Sequence, residues 1–408
     1  MGYCGKYWFY IEPYVYMELR DNRVLFFNTL DSKIFILRDR LILELLSELN
    51  SNLKRGGIWI DLDVMNNKVY MNFFNFIMDN YLGDLLPYRE NFIPPFIFSA
   101  IPKIRLDYRY TKDLLLYEDV MGSLLTLNLH ITSSCNANCN ACKEYYRQMN
   151  SCTIRDGDPK NMDISLVRKL LLENRFVNLS RINILGGNIS CYCYLDELLK
   201  LLEPYRDRCY AYYNIHNIDS MGEKLVEFFS DRICVIIDLH LFDKIPNLEL
   251  LKNRGYNIVF LVKNMFDIER IERLIPLNEL TIMPFYSKDN LDFFKEYVFW
   301  NESDLLSMNH TFTSIHRNQF LNDSFFGEIS VFPSGDVLVA DGISCGNLNS
   351  LSIYDILSDL LLKEDSLWFL TRSKTDCNGC VFVNLCPSIS KYELRIGQNN
   401  LCNKIDLQ

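Results

Sequence analysis

Cys135, Cys139 and Cys142 lie in the stretch Cys135-Asn-Ala-Asn-Cys139-Asn-Ala-Cys142, with three and then two residues between them. Three thiols so spaced can converge from one loop onto one metal centre. Three ligands leave a coordination position open, which a reactive centre needs, whereas a closed structural site takes four. The apolar run Leu124 to Thr132 just before the loop reads as a buried strand, so the thiols would sit at its C-terminal end. Free cysteines on an exposed loop and a zinc knuckle that borrows a fourth ligand are the competing readings.

A second group closes the chain: Cys345, then Cys377-x2-Cys380-x5-Cys386-Pro387, then Cys402. Five thiols suffice for one four-ligand site, of iron or of zinc. The chain has 14 cysteines in 408 residues and no signal-peptide pattern, which fits metal ligation in a reducing cytosol better than disulfides. A formal net charge of −10 argues against broad nucleic-acid binding. No apolar run reaches the roughly 18 residues of a membrane span, so no membrane partner is expected.

The elements that must position these thiols follow from periodicity. Residues 15–20, 24–28 and 33–37 read as three short strands, the first two joined by the turn Asp21-Asn22, and 39–49 as an amphipathic helix. The proline-containing stretch 93–102 reads as a boundary. From Leu124 strands and helices alternate: strands end near 132, 185, 216, 239, 263 and 285, with helices over 165–174, 195–202, 221–229, 248–253 and 268–275. That alternation is the signature of a parallel sheet, and a doubly wound sheet stays open on pattern alone. Residues 328–339 read as a hairpin turning at Ser334-Gly335-Asp336. The expected division is 1–100, a β-rich N-terminal domain; 120–300, an α/β core; and 325–408, a small cysteine-rich domain.

The spacing of the first three cysteines resembles the cluster motif of the radical S-adenosylmethionine (SAM) family. The resemblance covers residues 124–402. It implies a partial (β/α)6 TIM-like barrel in which Cys135, Cys139 and Cys142 hold a [4Fe–4S] cluster. SAM would complete the fourth iron and be cleaved to a radical that abstracts hydrogen. Gly186-Gly187-Asn188, after the second strand, resembles the family's Gly-Gly-Glu contact to the SAM amino group. Asn214 and Asp238 stand at the ends of the third and fourth strands where relatives contact the cofactor. Tyr212, Asn214 and His216 alternate onto one face, Asp238 and His240 share another, and Lys263-Asn264 follows strand five. Two positions depart from the family: Ala141 stands where an aromatic usually packs on the adenine, with Tyr145 or Tyr146 as substitutes, and Asn188 stands for the acid. Both departures imply weakened SAM binding.

The C-terminal hairpin with Cys345, Cys377, Cys380, Cys386 and Cys402 resembles the SPASM domain, which implies a second Fe–S cluster. Ala340 and Ser390 stand where that pattern has further cysteines, and zinc remains an alternative. The β-rich N-terminal segment resembles a winged-helix-like leader-recognition element. The whole resembles the maturases of ribosomally made peptides, including the pseudo-radical-SAM partner proteins of Bacteroidales. The implied partner is a precursor peptide with its leader. One alternative is a catalytically silent chain that presents the peptide to an active maturase. Another is a zinc- or Fe–S-stabilised binding module without redox chemistry.

Overall fold

The N-terminal segment forms two small antiparallel sheets from β1 (Lys6–Ile11), β2 (Val15–Arg20), β3 (Arg23–Asn28), β4 (Ile34–Leu37), β5 (Ile58–Asp61) and β6 (Gly83–Pro87). Their orders are β5-β1-β6 and β2-β3-β4. The β2–β3 turn puts both Asp21 and Asn22 at φ +53°, the left-handed pair of a two-residue hairpin that Asp and Asn tolerate. Ile42, Leu45, Leu46 and Leu49 line one face of helix Arg40–Ser51. They pack with Phe73, Phe74 and Ile77 of helix Lys68–Asp79 against Phe9, Val24 and Phe26 of the strands. The computed structural model describes residues 5–51, 56–88, 119–135, 139, 142–152, 158–172, 176, 178–239, 248–273 and 281–402. The expected boundary at 93–102 lies outside them, as do Ala141, His240 and the side chain of Cys142.

The alternating core becomes β7 (Thr126–Thr132), β8 (Arg181–Gly186), β9 (Cys209–Asn214), β10 (Ile233–Asp238), β11 (Asn257–Val262) and β12 (Thr281–Pro284). Each strand pairs in parallel with its predecessor, so the spatial order follows the sequence order. A doubly wound sheet reverses its order at a switch point, and this one does not. The third strand ends at Asn214, two residues before the expected His216, which falls in a 3₁₀ turn over Ile215–Ser220 and is exposed. Asn214 itself ends the strand, because its side chain accepts a hydrogen bond from His216 N. The C-terminal hairpin extends the same sheet: β13 (Glu328–Val331) pairs in parallel with β7 and is followed antiparallel by β14 (Asp336–Val339) and β15 (Ile343–Asn347). The result is a nine-stranded α/β sheet dominated by parallel pairing.

Alternation gives the sheet two chemically different faces. Leu129, Ile184, Ala211, Val235 and Phe260 pack under the connecting helices in the main core. The opposite face carries polar groups. Asn183 donates to Asn128 (2.7 Å), Asn128 donates to Glu328 (2.9 Å), and Lys391 pairs with Glu328 (2.9 Å). Next along β7, His130 is buried and stacks on Phe332 with ring centroids 4.2 Å apart. Burial, and then the Lys391 charge, hold its imidazole down at about 3. The fold therefore keeps His130 neutral, while the unfolded chain takes up a proton below about pH 6.5. Stability from this group is full above that pH and falls on acidification, by up to about 1.4 kcal/mol per pH unit. Urea midpoints at pH 7, 6 and 5 should fall less steeply in His130→Phe than in the native chain; equal slopes would refute the assignment.

Candidate functional site

The cysteine loop leaves the C-terminal end of β7, and the Gly186-Gly187 turn that ends β8 packs directly on its root. Gly187 N donates to Thr132 O (2.8 Å) and Asn188 N to Ser134 O (2.6 Å). A Cβ on Gly187 would lie 2.2 Å from Ser134 O and 2.9 Å from Cys135 Cβ. Only glycine permits that approach. Asn217, which the sequence did not single out, ties the two motifs together. Its amide nitrogen donates to Gly187 O (3.1 Å) and reaches Cys135 Sγ at 3.5 Å. Thus two motifs 52 positions apart in the chain (135 and 187) share one small cradle at the strand ends. The cradle fixes the root of the cysteine loop, at Ser134 and Cys135, against bare backbone.

Asn188 is engaged within the fold. Its Oδ1 accepts from Ser190 N (3.1 Å), capping the following 3₁₀ turn, and its Nδ2 donates to Ser220 Oγ (2.9 Å). Asn214 is buried, and its Nδ2 has no hydrogen-bond partner among the described residues. Lys263 and Asn264 diverge: Asn264 caps helix Met265–Glu272, while Lys263 lies 3.9 Å from Asp238 and over the Phe285 ring.

Asp238 is 1% exposed and accepts a 2.5 Å hydrogen bond from Tyr145 of helix Cys142–Gln148. Burial, reinforced by the Asp238 carboxylate, pushes the Tyr145 phenol well above its usual range. Tyr145 and Met149 pack with Ile236, Leu261 and Phe285, on the face of β10 and β11 opposite the connecting helices, and Cys139 borders this cluster. Tyr146 turns away and meets Phe332 edge-on at 5.8 Å. Tyr145, at 1% exposure, has no free stacking surface, whereas Tyr146 is half-buried. The helix that starts at the third cysteine instead fills part of the sheet's second face.

The C-terminal cysteines divide. Cys345 donates to Val337 O (3.2 Å) and borders the main core; burial pushes its thiol up to about 12. Cys377, Cys380, Cys386 and Cys402 feel one another's charge. Burial pushes the Cys386 thiol up to about 12, against the pull of Arg372. Arg372 makes a buried ion pair with Glu393 (2.9 and 3.1 Å) and reaches Cys377 Sγ at 3.7 Å. Ser390, read from the sequence as a missing cysteine, caps helix Lys391–Ile396 in a capping box with Glu393. A cavity of about 310 Å³ touches Arg372, Cys386, Glu393 and Cys402. Two of the four thiols, Cys386 and Cys402, line it. As placed, no three His, Cys, Asp or Glu side chains among the described residues converge on a metal position.

No helix among the described residues is long and apolar enough to cross a membrane. No family model matches the chain, and no curated protein matches it. Among solved structures, the chain is similar to Streptococcus suis SuiB bound to its precursor peptide SuiA. The identity is 12% and the TM-score 0.46, over 97% of this chain and 100% of that one. SuiB bound to S-adenosylmethionine gives 12% and 0.44 over the same shares. BtrN in an open conformation gives 13% and 0.31, over 65% of this chain and 93% of that one.

Proposed function

We propose that this chain is a radical-SAM-type iron–sulfur protein that acts on a ribosomally made peptide. The observation that carries the reading is the cradle at the ends of β7 and β8, where the root of the cysteine loop and the Gly186-Gly187 turn meet at backbone contact. Cys135, Cys139 and Cys142 would hold the cluster, which supplies one-electron chemistry when bound. Asn217 would orient the first of these thiols, and Gly187 would keep the adjoining backbone within reach of a bound ligand. The four thiols of 377–402 would hold a second centre of iron or zinc. The β2-β3-β4 sheet would offer a strand edge to the peptide leader, with residues 1–100 as the recognition domain.

A specific observation favours the silent-partner reading as a second possibility. Tyr145 and Met149 occupy the sheet's second face, and Tyr145 engages Asp238, one of the expected cofactor contacts. A chain in this state binds a peptide without turning SAM over.

One preparation tests both. Anaerobically reconstituted protein should lose about four irons when Cys135, Cys139 and Cys142 all become Ser. Unchanged iron content in the triple variant would overturn the cluster assignment. Deoxyadenosine formed by the reduced native protein separates the active reading from the silent one.

A further inference from the structure

Cys191 and Cys193 are the exposed thiols among the described residues; the other free cysteines there are buried or half-buried. They flank Tyr192, which is 3% exposed and donates through its hydroxyl to Met162 O at 2.8 Å. Tyr192 holds φ −69° and ψ 121°, an extended conformation. Such a residue advances the chain by about 3.1 Å, so the Cα atoms of the two cysteines lie about 6 Å apart. That separation falls inside the range of roughly 4.4–6.8 Å that a disulfide spans. Exposed free thiols are a liability on a folded surface, and here two share one turn.

The turn that carries them is continuous with the cradle. Asn188 N donates to Ser134 O at the root of the cysteine loop (2.6 Å). The Asn188 side chain accepts from Ser190 N (3.1 Å), and its carbonyl accepts from Cys191 N (3.0 Å). Beyond Cys193, helix Leu195–Leu202 is fixed by the buried Leu198 and Leu202. A bond between the two sulfurs therefore closes a small ring between two anchors, the buried Tyr192 side chain and the helix. The part free to give way is the 3₁₀ turn Ile189–Cys191, three residues held by the Asn188 cap.

We propose that Cys191 and Cys193 form an exchange site for small-molecule disulfides, and that its oxidation loosens the Asn188 cap. One cysteine thiolate attacks a sulfur of the incoming disulfide, giving a mixed disulfide and one free small thiolate. The other cysteine thiolate then attacks the sulfur of its neighbour and displaces the second small thiolate. Two protein thiols are oxidised to one disulfide, one small disulfide is reduced to two thiols, and the two cysteine protons end on those thiols. The second step is intramolecular and needs no further encounter. An exposed disulfide closed under strain is labile, which suits a reversible site and not a structural one. The exchange goes beyond the peptide-maturation reading and stands without it.

The full-length native chain is incubated with oxidised glutathione, its remaining thiols are blocked, and its peptides are mapped by mass. The peptide that bears both cysteines should lose two hydrogens and carry no glutathione. Cys191→Ser and Cys193→Ser, both at exposed positions, should each retain one glutathione on the remaining thiol, because the resolving thiol is gone. In parallel, oxidation of the native chain should speed hydrogen exchange of the Ser190 and Cys191 amides on the order of tenfold, and dithiothreitol should reverse it. A native chain that accumulates glutathione on either cysteine without closing, or whose two thiols stay free, would overturn the exchange site. Closure that leaves those amides exchanging at the same rate would overturn the coupling to Asn188.

Discussion

Arg372→Met is expected to cost about 3–5 kcal/mol of stability, read as a fall in the urea midpoint with little change in slope. The guanidinium holds Glu393 through two hydrogen bonds, donates to Pro387 O at 2.5 Å and to Asn399 O at 3.1 Å, and lies under a largely closed surface. Its removal leaves the Glu393 carboxylate buried and uncompensated. That carboxylate also receives Ser390 N at 2.9 Å, so strain at Glu393 reaches the start of helix Lys391–Ile396. The loss belongs to the broken pair and not to the arginine alone, because an ion pair of this kind often contributes little net stability against an apolar replacement of both members. Adding Glu393→Gln to Arg372→Met should therefore restore a large part of the loss. A double variant as unstable as the sum of the two singles would show that the two side chains act independently.

The second large effect is expected at Tyr145. Tyr145→Ala should cost about 3–5 kcal/mol, because it removes a fully buried ring from the cluster with Met149, Ile236, Leu261 and Phe285. Tyr145→Phe keeps the ring and removes only the donor to Asp238. The bond it deletes is to a charged acceptor, so about 1.5–3 kcal/mol is expected. The ratio of the two losses separates packing from the hydrogen bond. If the helix screens the second face from ligand, Tyr145→Ala should also bind SAM more tightly than the native chain in equilibrium dialysis. Weaker or equal binding would mean that the ring supports the ligand site or lies apart from it.

The parts of the architecture that repeat locally were legible in the residues. The six β/α units, the Asp21-Asn22 turn and the Ser334-Gly335-Asp336 hairpin each carry their own short-range signal, and each stands within a few residues of its expected place. Asn188, read as standing for the family's acid, and Ser390, read as standing where a cysteine is missing, each also make a capping hydrogen bond to the turn or helix that follows. The Ser390-x-x-Glu393 pattern is itself a capping-box signal and could have been read. The settings of Asn217 and Tyr145 were not readable in this way. Each owes its setting to a partner on a distant element: Cys135 for Asn217 and Asp238 for Tyr145. One side chain among many asparagines and tyrosines carries no mark of such a pairing.

The parallel pairing of β13 with β7 has a consequence for how the chain is made. Asn128 and Glu328, hydrogen-bonded across those strands, are 200 positions apart. At roughly 5–20 residues per second, about 10–40 seconds pass between emergence of β7 and emergence of its partner. Through that interval β7 can pair with β8 on one side only, and its other edge offers free backbone donors and acceptors to any neighbouring chain. The strand reads Thr-Leu-Asn-Leu-His-Ile-Thr, so Asn128 and His130 alternate with its apolar residues, and polar groups so placed weaken the apolar, low-charge pattern that drives edge-to-edge aggregation.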